Sequence, residues 1–150
     1  MSNVATAIER ARPDDLPSVL RLLERHGLPL DGASDFAETM VVARNAGQVV
    51  GAAALELYAD GALLRSVVVD ASVQGKGVGQ QLTIAALSLA NKLGVSTVFL
   101  LTTTAADFFP RFGFERITRE DVPASVRASV EFRSACPASA VVMRRAGHPS

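Results

Sequence analysis

The chain has no tryptophan, one tyrosine (Tyr58), one cysteine (Cys136) and two histidines (His26 and His148). A lone cysteine cannot close an internal disulfide, and it weakly favours a reducing compartment. The two histidines stand far apart, and no His/Cys/Asp cluster has metal-ligand spacing. Net charge is also lacking: 15 basic residues balance 15 acidic ones, so no electrostatic footprint for nucleic acid exists. Charges or glycines interrupt every long apolar run before it reaches membrane-spanning length. The opening residues, MSNVATAIERAR, lack the basic-then-apolar pattern of a secretion signal. These absences lead to the expectation of a cytoplasmic protein with neither membrane nor nucleic-acid partners and no metal. No fixed-period repeat or low-complexity linker is visible.

What is present suffices for a core. The chain has 150 residues, 49% hydrophobic and 20% charged, which predicts one folded domain over residues 1–150. Its most informative stretch is LLRSVVVDASVQGKGVGQQLTIAALSLANKL, Leu63 to Leu93. Leu63–Val69 has the length and β-branched content of a buried strand. The cluster Gly75, Gly77, Gly79 follows, and a helix is predicted from there, with Val78, Leu82, Ala85, Ala86, Leu89 and Leu93 on its apolar face. Strand, glycine turn, helix is an anion-binding arrangement. Glycine admits close backbone approach, and the first amides of a helix have no internal acceptors.

Spacing decides which phosphate motif this is. In a P-loop, GxxxxGK precedes Ser or Thr, but here Gly77 follows Lys76 and Asp70 replaces the first glycine. A dinucleotide fingerprint needs GxGxxG, but Gln80 takes the last position. The pattern Q/R-x-x-G-x-G/A is matched at every fixed position by Gln74-Gly75-Lys76-Gly77-Val78-Gly79. The bland alternative is a glycine turn opening an ordinary helix.

Elsewhere, Ala5–Ala11 reads as a first strand. Pro13-Asp14-Asp15 then opens a helix with Leu16, Val19, Leu20, Leu22 and Leu23 on one face, ended by Gly27 and Pro29. A helical turn is expected after Ser34. Thr39–Arg44 and Gln48–Tyr58 read as strands joined at Asn45-Ala46-Gly47. Asp60-Gly61 is a two-residue hairpin signal. If those two residues are the loop, Glu56 falls directly opposite Arg65, an opposite-charge pair that a bulge would shift. Ser96–Thr103 reads as a strand parallel to Leu63–Val69, and Thr104–Phe109 as a short helix stopped near Pro110 or Gly113. A strand after Phe114, a helix over Glu120–Ala128, extended segments at Phe132–Cys136 and Ser139–Met143, and a frayed end after Arg145 complete the expectation.

With its Q-x-x-G-x-G loop, the VVVD strand before it and the later FFPRFGF stretch, the chain resembles the GNAT superfamily of acetyl-CoA-dependent N-acetyltransferases. The resemblance implies an α/β GNAT fold: a mixed twisted sheet with helices on both faces and two central parallel strands that splay apart. Acetyl-CoA is the implied co-substrate. Its pyrophosphate would lie on Gln74, Gly75, Lys76, Gly77, Val78 and Gly79, and its pantetheine arm along Val67, Val68 and Val69, with a main-chain N–H near Val68 for the oxyanion. The splay is expected between Val67–Asp70 and Leu100–Thr103, and the early helix–loop region would wall the acceptor site. The family's later motif N-x-x-A-x-x-x-Y-x-x-x-G-F places Thr102, Ala105 and Phe109 at the asparagine, alanine and tyrosine positions. Phenylalanine has no proton for the departing thiolate, which leaves water, Ser134 or Cys136 as donors.

Arg65 breaks an apolar series, and a buried charge needs a partner. Glu56 is that partner, either in a purely structural ion pair or with a task in deprotonating the acceptor amine while Arg65 receives a carboxylate. Ser66 is a further candidate. The tail with Arg119, Arg127, Arg133 and Cys136-Pro137 resembles amino-acid N-acetyltransferases encoded with arsenic-resistance functions, and is related in style to short glutamate N-acetyltransferases. That resemblance implies a small-molecule amine acceptor: an α-amino acid, with arsenic- or phosphorus-containing glutamate analogues among the candidates. Arg119 and Ser134 would join Arg65 at it, and a homodimer is one admissible assembly. The rival readings are a GNAT enzyme for another amine (peptide, lysine or aminoglycoside) and a non-catalytic acetyl-CoA-binding module.

Overall fold

The computed structural model describes residues 6–28, 30, 38–103, 105–129 and 140–146. Among these, the strands are β1 (Thr6–Arg10), β2 (Met40–Asn45), β3 (Gln48–Tyr58), β4 (Gly61–Val69), β5 (Thr97–Thr102), β6 (Glu115–Ile117) and β7 (Val141–Ala146). They form one sheet in the order β1-β2-β3-β4-β5-β7-β6. Only β4 and β5 pair in parallel; the other neighbours are antiparallel. Helix α2 (Val78–Lys92) is the crossover between the parallel strands and covers one face. Helix α1 (Leu16–Arg25) and the short α3 (Ala124–Arg127) cover the other. The α/β class, the mixed sheet and the helices on both faces agree with the expectation. The turn after Ser34 and the extended segment Phe132–Cys136 lie outside the described residues.

The helices follow from their apolar spacing. In α1, Val19, Leu22 and Leu23 are buried at the i, i+3, i+4 interval against β2, β3 and β4. Its start is tied down by Asp15, which accepts the Arg12 N–H (2.8 Å) and takes both Arg44 terminal nitrogens at 2.9 Å. In α2, the buried residues include Val78, Leu82, Ala86 and Leu89, as the pattern predicts. Leu93 differs: it lies just past the helix and is 47% exposed.

Two predicted helices are altered by proline. The expected helix over Thr104–Phe109 is instead a 3₁₀ turn at Phe109–Phe112, with Pro110 inside its first turn and Gly113 (φ 92°) ending it. Proline lacks only an N–H that a first turn leaves unpaired anyway, so it opens the turn and does not stop it. The expected helix over Glu120–Ala128 is split at Pro123 into a 3₁₀ turn at Arg119–Asp121 and α3.

The β3–β4 hairpin corrects the predicted register. Tyr58 pairs with Gly61, so the two-residue loop is Ala59-Asp60 and not Asp60-Gly61. Glu56 stands opposite Leu63, and Arg65 opposite Ala54. Position 61 takes glycine because the neighbouring β5 comes so close: a Cβ there would lie 2.8 Å from the Thr97 carbonyl oxygen, and its φ is +152°. Farther along, one extra residue of β4 is inserted between the Ala52–Val68 and Ala54–Arg65 pairs. Ser66 in this bulge has φ +59°. The bulge reverses the side-chain alternation. Arg65 points away from α2, whereas Val67 and Val69 pack on the α2 side and Val68 on the α1 side.

Candidate active site

Pairing between β4 and β5 covers only Ala62–Val98, Leu63–Phe99 and Leu64–Leu100. Beyond that the parallel strands separate, from Arg65 and Leu101 onward; the expected splay segments lie in this parted region, except that Leu100 is still paired. One wall is the edge of β4. The Asp70 N–H donates to the Val50 carbonyl at 2.7 Å, so Asp70 faces β3. Main-chain groups alternate sides along a strand. Val68 therefore also turns its amide to β3, whereas Val67 and Val69 turn theirs to the cleft. The main-chain amides that face the cleft are thus those of the neighbours of Val68, not that of Val68 itself.

At the open end stands the glycine loop. Gly75 and Gly77 have φ of 83° and 79°, and a Cβ at either position would meet no protein atom within 4 Å. Both glycines are therefore needed for left-handed backbone conformation, with unfilled space beside them. Gly77 caps α2, and the first intrahelical bond runs from the Gln81 N–H to the Gly77 carbonyl (3.0 Å). The amides of Val78 and Gly79 precede that bond and point outward with the positive end of the helix dipole. The side chain of Gln74 closes the loop by donating to the Val69 carbonyl at 3.0 Å. Lys76 is exposed on the loop.

Two positions of the later motif have local partners. The Thr102 hydroxyl accepts the Ala105 N–H at 2.9 Å and shapes the turn after β5. Phe109 is 5% exposed, with edge-to-face contacts to Phe108 (5.1 Å) and Phe114 (5.7 Å). It is Phe108, half-buried, that lies beside the loop: its ring edge is 3.8 Å from where a Gly79 Cβ would stand.

At the closed end of the cleft, Arg65 and Glu56 form an ion pair with no side-chain exposure, Nη1 to Oε2 at 2.7 Å. The Arg65 Nε–H donates to the Ser66 hydroxyl at 3.1 Å. The other Glu56 oxygen accepts hydroxyls from Tyr58 and Ser129. Burial, and next the bond to Glu56, push the Tyr58 hydroxyl pKa up to about 12. Tyr58 and Ser129 did not figure among the sequence candidates. Tyr58 shares a strand face with Glu56 two residues away, a signal the sequence carries; Ser129 comes from beyond α3 and gives none. Arg119 begins the 3₁₀ turn after β6, half-buried. Ser134 and Cys136 lie outside the described residues. Among the described residues, no three His, Cys, Asp or Glu could hold a metal, and no helix is long and apolar enough to cross a membrane.

A glycine loop opening a helix at the mouth of a splayed parallel pair is the arrangement expected of an acyl-CoA-dependent transferase. In agreement, the family profile described as "Acetyltransferase (GNAT) domain" matches residues 37–116. The chain belongs to the GNAT acetyltransferase family, whose acetyl donor is acetyl-CoA. It is similar to an amino-acid acetyltransferase of Mycobacterium tuberculosis, 31% identical over 129 residues, covering 79% of this chain and 74% of that one. It is 26% identical over 148 residues to an amino-acid acetyltransferase of Neisseria meningitidis, covering 93% of this chain. There it spans about a third (34%) of the relative's length. In fold it matches N-acetylglutamate synthase from Neisseria gonorrhoeae complexed with coenzyme A and N-acetyl-glutamate, with a TM-score of 0.83 at 22% identity, over 99% of this chain and 36% of that one.

Proposed function

We propose that this chain acetylates the α-amino group of a small amino acid of the glutamate type, arsenic- or phosphorus-containing glutamate analogues included, by direct transfer from acetyl-CoA. The observation that carries the reading is a buried guanidinium, Arg65, at the closed end of a cleft whose open end is the Gln74–Gly79 loop. An arginine fork suits a carboxylate better than any other side chain does. The amino-acid acetyltransferase names of the two curated relatives support the same substrate class.

When bound, acetyl-CoA supplies the thioester carbonyl. The loop amides and Lys76 hold its pyrophosphate. The acceptor's carboxylate is drawn by the Arg65 charge, which lies buried beneath the start of the cleft and which Glu56 keeps oriented. The neutral amine attacks the carbonyl carbon, and a β4 amide on the Val67–Val69 edge receives the oxyanion. Collapse expels the coenzyme thiolate; with a thiol pKa of about 8.5, it departs without full protonation. Glu56, holding donors on both oxygens, acts on Arg65; the proton the acceptor's ammonium gives up before attack, and the one left on its nitrogen after attack, pass to solvent water.

Thiol release from acetyl-CoA, measured against glutamate and its analogues, other amino acids, a lysine peptide and an aminoglycoside, tests this reading. Turnover confined to α-amino acids supports it. Turnover only on the lysine peptide or the aminoglycoside moves the chain to another acceptor class, and CoA binding with no turnover on any amine makes it a binding module.

A further inference from the structure

Asp70 stands where three parts of the molecule meet. Its main-chain N–H bonds to Val50 of β3 at 2.7 Å, and its carbonyl accepts the Val73 N–H at 3.0 Å. Its Oδ2 accepts the Ser72 N–H at 3.4 Å and the Ser72 hydroxyl, capping the turn that feeds the glycine loop. Its Oδ1 takes Arg25 Nη1 at 3.1 Å, 45 residues away in the last turn of α1. Asp70, Ser72 and Arg25 share the lining of one cleft of about 590 Å³ between α1, the β2–β3 hairpin and this turn. The bonds from Ser72, above all, hold the Asp70 carboxyl below its ordinary pKa, with the charges of Arg25 and His26 adding to them.

We infer that Asp70 and Arg25 are positioning residues that couple the coenzyme loop to α1. The inference rests on the reading above, in which the Gln74–Gly79 loop takes the pyrophosphate. Arg25 is 62% exposed, and an ion pair with so exposed a partner gains little. A pyrophosphate on the loop fixes the Ala71–Val73 turn and with it Oδ1. Arg25 then meets a partner whose ordering cost is already met, so the end of α1 becomes more rigid. Reciprocity follows: whatever holds α1 also tightens the loop's grip on coenzyme.

Hydrogen exchange on the full chain, with and without CoA, tests this. In the wild type, CoA should slow exchange both in the loop and in the last turn of α1. In Arg25→Gln the loop should still be slowed while the α1 response is lost, and CoA should bind severalfold more weakly. Arg25→Lys should keep part of the α1 response. A merely structural bridge would change melting temperature without moving this response. An unchanged α1 response in Arg25→Gln, or none in the wild type while the loop is protected, overturns the coupling. No loop protection and no heat of CoA binding overturns the functional reading itself, and the coupling with it.

Discussion

Glu56 and Arg65 meet along a diagonal of the sheet. Arg65 stands opposite Ala54 and Glu56 opposite Leu63, yet Nη1 and Oε2 are 2.7 Å apart and the side chains are wholly buried. A one-residue change of hairpin loop separates this arrangement from the directly opposed pair that the sequence predicts. The ion pair survives because an arginine reaches across a diagonal as readily as straight across.

Removing one partner strands the other's charge. Arg65→Leu should therefore lower unfolding free energy by about 3–5 kcal/mol, and adding Glu56→Leu should recover most of it. Urea unfolding of the two variants measures this. Arg65→Lys should raise the acceptor KM and leave CoA affinity alone, because lysine loses the bidentate fork. A normal acceptor KM in Arg65→Lys would reduce the pair to a structural one.

Phe109→Tyr should destabilise the fold by about 1–3 kcal/mol without raising turnover, because the new hydroxyl enters an aromatic cluster with no partner at hand. The ring is buried between Phe108 and Phe114. Thermal unfolding together with kcat checks it; a gain in kcat at unchanged stability would put this position next to the leaving sulfur.

Tyr58 is the chain's one tyrosine, so phenolate absorbance reports it alone. Its folded pKa of about 12 lies above the ordinary value of 10.0. The folded state thus holds the proton more tightly. The stability this contributes is complete below about pH 10 and is lost as pH rises towards about 12. Native protein near pH 10.5 should show little phenolate, and urea-unfolded protein a large signal. Tyr58→Phe should flatten stability over that window.

At the other end of the scale, the Arg44 hydrogen bonds hold the Asp15 carboxyl below its ordinary value of 3.8 against the opposing effect of burial. A depressed folded pKa gives stability that is present above pH 3.8 and lost as pH falls through the folded value. Asp15→Asn should start less stable at pH 7 and lose less below about pH 4 than the wild type. Equal acid slopes in the two proteins would assign the acid loss to other carboxylates.

The parts legible in the sequence are those set by local chemistry. The glycine loop was readable because left-handed turns and a helix start leave a fixed spacing, and β3 because its run ends at a turn. The first parted residue of β4, Arg65, is not legible because the Ser66 bulge depends on pairing with β3, which no run of valines announces. Pro110 and Pro123 mark a break in the sequence without saying which kind; whether a proline opens, splits or stops a helix depends on which N–H it replaces. Ser129 reaches Glu56 across 73 residues, a distance that no periodicity encodes.

The most direct test of the central claim compares L-glutamate with its α-carboxamide as acceptor, at saturating acetyl-CoA, with the product identified by mass spectrometry. The account predicts N-acetylglutamate formed in step with free coenzyme A, and a large loss of kcat/KM for the amide that Arg65→Lys makes smaller. Equal kcat/KM for acid and amide, or acetylation of lysine peptides or aminoglycosides with none of either amino acid, would contradict it.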